Sequence, residues 1–468
     1  MPRHLVPALA VLLLLPALAL AGDELRPPSP ELLRIQAAIE AEGLPWTAGE
    51  TVRSRMTPEQ RRAGLIPAEE FEARIAEIVS HGVAEPRVLR AESLPARFSW
   101  RDRFGHRFVS GVRNQGDCGS CMAFGFLGSL EALALWRLGR PYYAGSYDFD
   151  TSEQDLVDCA RGADFRGCEG GSSWQPLYDY LEINGIAYES CYPYEAMNMT
   201  CRTAQCTERA FGEGHEYISG RTPSSKAEIM AFKKELYQRP ISSYMVVYTD
   251  LHYYTGGVYV PTADAEFEGG HAVVVVGWDD EMEAWEIKNS WGQDWARDGH
   301  FYIRWGKSHA GAGALRLDYL EDTPPAELCE LPERLDFDGS RLDRFRMLRL
   351  QNCGGSGLEW RLSTDVDWLE FSRSEGLALV DPPEDVRIDP VDPPPEGAQG
   401  TVTLTAIWCS YFEPDGTIRT EDYAIPVSIS AASSGGGGGG SGGCSVLGGS
   451  GVAAGLLLLV ALRARRRS

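Results

Sequence analysis

A chain of 468 residues exceeds what one ordinary hydrophobic core supports, so about two or three domains plus tails are expected. A content of 43% hydrophobic and 10% aromatic residues excludes a disordered chain. A formal charge of −23 argues against nucleic acid as a partner, because phosphate binding calls for clustered Lys and Arg, and an acidic surface chiefly favours solubility.

The N-terminal stretch MPRHLVPALAVLLLLPALALAGDE has basic residues, an apolar run and the small-residue site Ala19-Leu20-Ala21. It predicts a secretory signal over 1–21, hence a secreted, extracytoplasmic protein. In that compartment disulfides persist, so most of the eleven cysteines are expected to be bridged rather than metal-bound or redox-active. Residues 22–93 are charged and helix-prone. Thr57-Pro58-Glu59-Gln60 reads as a capping box with proline at the first helical position, and Phe71, Ile75 and Ile78 fall on one apolar stripe. Such a segment buries little by itself and must lean on a neighbour, as a pro-region or as a small structural lead.

From Leu94 to about Leu320 the texture turns to Trp, Tyr, Gly and Cys, and DTPPAEL then marks a linker. Over 329–432, short alternating segments stand between turn residues. Leu358, Trp360 and Leu362 share one strand face, and Val402, Leu404, Ala406 and Trp408 share another, the pattern of a β-sandwich. A flexible Gly-rich linker follows over 433–443, then a tail over 444–468 with Cys444, a short apolar run and RARRRS. This order of parts resembles the myxobacterial sorting tails called MYXO-CTERM. The resemblance implies a bacterial protein anchored to the cell surface or membrane through its C-terminus. A plain membrane anchor predicts nearly the same location.

NQGDCGSCMAF, residues 114–124, sets Cys118 and Cys121 three positions apart just before an apolar run. CMAFGFLGSLEALALWRLGR predicts one helix closed by Gly139, apolar on most sides, with Cys121 in its first turn. There the free N–H groups and the helix dipole favour a thiolate, whereas Cys118 lies outside that field. A zinc site needs a second compatible ligand pair and a thioredoxin-like motif needs a preceding parallel strand; neither is evident. A nucleophilic thiol also needs a base, and the base an orienting group. GGHAVVVVGWDDEMEAWEIKNSWG predicts an antiparallel hairpin with DDEME as its turn. His271 and Asn289 each stand nine residues from Asp280, which puts them opposite one another on one sheet face.

With LPARFSWRD, NQGDCGSC, SEQDLVDC, GCEGG, CYPYEAM, GGHAVVVVGW and KNSWGQDWARDGHFYI in order, residues 94–321 resemble the papain-like cysteine peptidases, in a cathepsin B/C-like variety. The resemblance implies an α+β, two-lobed fold, with a helical left lobe and an antiparallel, β-barrel-like right lobe. It implies Cys121 as nucleophile, His271 as base and then acid, Asn289 as orienting group and Gln115 as oxyanion donor. It also implies that Trp291 shields the His-Asn bond, that Gly170 and Gly171 form a wall where substrate backbone binds, and that Cys118 pairs with Cys168, Cys159 with Cys201 and Cys191 with Cys206.

WTAG at 46–49 resembles the pro-region motif of cathepsin B-like zymogens, so 22–93 is expected to cover the cleft as an intramolecular inhibitor. Met122 departs from the aromatic residue usual after the nucleophile. Asp264, Glu266 and Glu268, just before His271, read as a solvated acidic loop, the alternative being that they favour basic substrates. NCGGSGLEWRLSTDVDWLEFS resembles BACON-like immunoglobulin-fold modules, which implies an all-β sandwich acting as a spacer or binding surface carbohydrate or protein. Cys353 is expected to pair with Cys409. The function expected is a secreted, surface-anchored endopeptidase acting on polypeptides, with no cofactor or metal. The alternatives are a catalytically silent peptide binder and an adhesin working through the sandwich.

Overall fold

The computed structural model describes residues 27–80, 94–143, 149–319, 326–329, 331–338, 345–391, 397–412 and 418–430. The expected signal segment, the Gly-rich linker and the C-terminal tail with Cys444 lie outside the described residues. Among the described residues, no helix is long and apolar enough to cross a membrane.

Three helices open the described chain: Pro30–Glu42, Pro58–Ala63 and Ala68–Ser80. Ser29 caps the first by accepting from the Leu32 N–H, and Thr57 with Gln60 forms the reciprocal capping box at the second. The segment does lean on its neighbour. Leu32 and Ile35 join the main core, Phe71 is buried against a second cluster, and strand Trp46–Ala48 pairs antiparallel with Tyr254–Tyr259. The Ile78 side chain lies outside what is described.

Helix Cys121–Arg137 runs through the centre, with every residue from Cys121 to Trp136 buried. Its near-uniform apolarity is that of a helix surrounded by protein. Two glycines let it approach strand Phe267–Asp279. A Cβ on Gly125 would stand 3.2 Å from the Ala272 carbonyl carbon, and one on Gly128 2.9 Å from Val274 Cγ2. The start of the helix, with Cys121, is thereby held beside the strand that carries His271. Helices Glu153–Cys159 and Gln175–Asn184 flank it on one side. Three disulfides tie that helical half: Cys118–Cys168, Cys159–Cys201 and Cys191–Cys206, with Cα separations of 4.5, 5.0 and 5.9 Å.

On the other side lies a sheet in the order Trp46–Ala48, Tyr254–Tyr259, His300–Arg304, Ala284–Lys288, Phe267–Asp279, Ile241–Tyr248, Ala312–Tyr319, Gly212–Ser219, with Arg97–Ser99 also on Phe267–Asp279. Its pairings are antiparallel except that between Tyr254–Tyr259 and His300–Arg304. The architecture is α+β.

Beyond the linker, a five-stranded sheet (Leu335–Phe337, Ile418–Ile429, Gln399–Phe412, Leu358–Thr364, Glu375–Ala378) and a three-stranded one (Arg346–Leu350, Glu384–Pro390, Leu369–Phe371) share one apolar cluster. Leu358, Trp360, Leu362, Val402, Leu404, Ala406 and Trp408 are all buried in it. Cys353 pairs with Cys329, not with Cys409. The reason is local: the Cys329 N–H donates to Gln351 O and the Cys353 N–H to Glu327 O, which brings the two short segments side by side.

The alternation that buries Trp360 turns Glu359 to the other face, yet Glu359 is also buried, at 3% exposure. Arg103, just past strand Arg97–Ser99, donates through Nε to Glu359 Oε1 at 2.7 Å, and Tyr237 donates to Oε2 at 2.8 Å. The Arg103 guanidinium lies 4.2, 4.5, 4.7 and 5.1 Å from the ring centroids of Trp136, Trp100, Tyr237 and Phe98. Alongside, the Ser356 N–H donates to Arg137 O, and Gly357 lies so close to Trp136 that a Cβ would fall 2.5 Å from its ring.

Candidate active site

Cys121, a free cysteine, is fully buried at the first turn of the central helix. His271 lies in the strand against which that helix packs, and its Nε2 stands 2.8 Å from Asn289 Oδ1. With Nε2–H donating to the carboxamide, Nδ1 is buried without a hydrogen bond and is the nitrogen left for a thiol.

The pairing of His271 with Asn289 arises differently from the symmetry about Asp280. The ladder sets Asp279 against Ala284 and Val274 against Lys288, with a bulge between Val275 and Gly277. Continued by one residue, it sets Asn289 against Val273, two positions from His271. A shift of two preserves the face, so the side chains meet on the diagonal rather than across a rung. Asn289 itself falls just beyond its strand, where its N–H donates to Gly299 O and its Oδ1 also accepts from the Ser290 N–H.

Gln115 is buried, and Ser290, unremarked in the sequence, orients it: the Ser290 hydroxyl donates to Gln115 Oε1 at 2.7 Å, and the Gln115 N–H donates to Ser290 O. The freed Nε2 donates to Cys118 O at 2.9 Å and to Gly64 O at 2.8 Å. A carbonyl of the N-terminal segment thus sits on the Gln115 amide. Trp291 is buried, with the His271 ring 5.1 Å and the His252 ring 5.2 Å from it, centroid to centroid. Gly170, at φ 84, faces the N-terminal segment, where a Cβ would meet Pro67 Cδ at 3.3 Å. Gly171 packs against its own loop, where a Cβ would come within 2.9 Å of Phe165 Cα.

The N-terminal segment therefore lies directly over this group. Ile66 and Gly270 exchange backbone hydrogen bonds, and Phe71 fills the space above Gly270, where a Cβ would be only 2.0 Å from its ring. Arg53, nearly fully buried, stands 4.7 Å from the Trp291 centroid and donates to Gly116 O and Arg61 O. Burial pushes its guanidinium down to about 10.

This cover reverses the electrostatics expected of a first-turn cysteine. Burial pushes the Cys121 thiol up to about 12, against the backbone N–H groups of Ala272, Met122 and Cys121 and the charge of Arg53, all of which favour the thiolate. Burial also pushes His271 down to about 3; the Asn289 bond works the other way, and Arg53 adds to the lowering. Under the segment both groups are neutral, because neither charge has water to solvate it.

Glu268 is likewise not a solvated loop residue. Its side chain is 4% exposed, with His252 Nε2 at 2.5 Å and Arg61 Nη2 at 4.0 Å. Asp264, by contrast, is exposed.

A family model described as "Papain family cysteine protease" matches residues 94–315. The chain is 31% identical over 285 residues to "Cathepsin B-like CP1" of Giardia intestinalis, covering 58% of this chain and 88% of that protein. It is 33% identical over 226 residues to "Pro-cathepsin H" of Bos taurus, covering 47% and 63% respectively. Among solved structures, proCathepsin B S9 from Trypanosoma congolense aligns with 62% of this chain and 98% of its own at 22% identity and a TM-score of 0.48. With that much of the Giardia protein covered at that identity, this chain belongs to the papain family of cysteine proteases.

Proposed function

We propose that the chain is a secreted, surface-anchored, cathepsin B/C-like endopeptidase whose residues 22–93 are a removable inhibitory pro-region, and that Cys121, His271 and Asn289 carry its chemistry. Once the cleft is open, water and the helix terminus favour a thiolate at Cys121. Its Sγ attacks the scissile carbonyl carbon, and the carbonyl oxygen becomes an oxyanion accepting from Gln115 Nε2 and the Cys121 N–H. The protonated His271 then gives its proton to the departing amine. Water adds to the thioester with His271 taking its proton, which releases the acid and restores the thiolate beside a protonated imidazole. Asn289 holds the ring's orientation throughout, and Trp291 keeps water from the bond between them. The 94–321 unit does this work, and the C-terminal sheets, read as an immunoglobulin-like module, position it at the surface.

The observation that carries the reading is the Gly64 carbonyl on the Gln115 amide, close to where a substrate carbonyl would lie. Casein cleavage by the activated chain and by its Cys121→Ala variant tests it. The variant is expected to lose at least about a thousandfold in rate. Equal cleavage by the two would overturn the assignment.

A further inference from the structure

The walls of the open cleft differ in charge. On one side of the Gly64 carbonyl, residues 65–67 run over Gly170, Gly269 and Gly270, which offer backbone and little else. On the other side, the covering groups are two arginines. Arg53 lies on the face of Trp291, and Arg61 reaches toward Glu268. Below them Glu268 is held by His252, whose ring stacks on Trp291 next to His271.

Glu268 and His252 form a fixed anionic socket. Burial pushes His252 down to about 4, so near neutrality it is an uncharged donor to the carboxylate. Burial works against the charge on Glu268, but the His252 hydrogen bond and the nearby arginines hold its carboxyl below the usual range. With the imidazole neutral, as it is under the cover, the pair carries one negative charge, and the hydrogen bond between them sets that charge beside the Trp291 face. The arginines that cover it, Arg53, Arg61 and Arg62, belong to the segment that leaves. An anion this poorly solvated, next to an aromatic ring, favours a long cationic side chain whose stem lies on the ring and whose head reaches the carboxylate.

We infer that Glu268, positioned by His252, is a specificity residue that selects a basic side chain of the substrate on the leaving-group side of the cut bond, the place Arg61 and Arg53 hold in the covered enzyme. The side follows from chemistry: the half of the cleft beyond the imidazole faces the amine that takes its proton, while the glycine wall takes the acyl half. The inference rests on the catalytic reading above.

The test uses the full chain after removal of residues 22–93 and a peptide library whose cut sites are read by mass spectrometry. Paired quenched peptides with Arg or Leu in the two positions after the cut supplement it. Arg and Lys are expected to be enriched there, with a kcat/KM preference of about ten- to hundredfold for Arg over Leu, and Glu268→Gln is expected to bring that ratio close to one. Cleavage without basic enrichment after the bond, or a preference that survives Glu268→Gln, overturns the inference while leaving the catalytic reading standing. A wild-type enzyme that cuts no peptide, and whose Cys121 resists alkylation, overturns the catalytic reading itself. The wild-type profile decides the matter even if the variant does not fold.

Discussion

Two parts of the chain are packed onto the protease from opposite ends, each through a buried arginine, and the two are built differently. Arg53 enters the cleft with backbone carbonyls and an aromatic face for company, and burial lowers its affinity for a proton. Arg103, at the junction with the C-terminal sheets, meets the carboxylate of Glu359, which a tyrosine hydroxyl also serves. A buried cation that hydrogen-bonds only neutral acceptors and meets its carboxylates, here Glu268 and Asp117, only through space retains a desolvation cost, whereas a paired and hydrogen-bonded one is costly to separate. The difference suits one attachment to release and the other to permanence.

The sharpest way to break this contrast is Glu359→Ala. It leaves Arg103 buried without its carboxylate and is expected to destabilise the chain by about 3–5 kcal/mol, read from urea unfolding. A loss under about 1 kcal/mol would mean that the junction is as loose as the cleft cover. Next in size is Phe71→Ala, which empties the space above Gly270 and removes about 3 kcal/mol of packing from the cover alone. Inhibition by the pro-region should weaken by about a hundredfold or more, while the unfolding midpoint of the activated enzyme stays where it was.

Smaller still is the effect of pH. Covered, His271 titrates at about 3, while an uncovered imidazole takes up its proton near about 6.5. Opening also lets the Cys121 thiol, held up at about 12 under the cover, give up its proton, so the thiol and imidazole together exchange no net proton and leave the cover's hold nearly level between pH 7.5 and 5. Glu268 supplies the pH dependence, because a carboxyl held below its usual range loses its contribution as it protonates, so the cover loosens as pH falls below about 4.5. Activation of the zymogen is expected to change less than about twofold between pH 7.5 and 5 and to quicken about severalfold between pH 5 and 3.5. A tenfold rise already between pH 7.5 and 5 would show that opening takes up a net proton and that Cys121 stays a thiol in the open cleft.

What could be read from the sequence was local. The start of the central helix at Cys121, its burial on all sides and the alternating strands of the C-terminal sheets follow from patterns within a few residues. The shared face of His271 and Asn289 was also legible, but not the rung: the turn centres between Glu281 and Met282 rather than on Asp280, which displaces the ladder by three, and a bulge near Val275 takes back one, so the net shift is two. Ser290 and the His252–Glu268 pair went unread, since their roles depend on chain segments that meet only on folding. Alternation correctly turned Glu359 away from Trp360. That Arg103 and Tyr237 wait on that side is a fact of tertiary packing, which a strand pattern does not carry. The bond between Cys329 and Cys353 was missed for the same reason: a short pairing of two loops decided it.

The junction at Arg103 also bears on how this protein can be handled. Trimming it at the proline-rich stretch after Leu320, the natural place to look for a smaller product, would bare the indole of Trp136 and strip a guanidinium of its counter-charge. The shortened enzyme would carry a sticky, aromatic wound on the side away from its cleft, and its poor solubility could be mistaken for a fault of the catalytic unit.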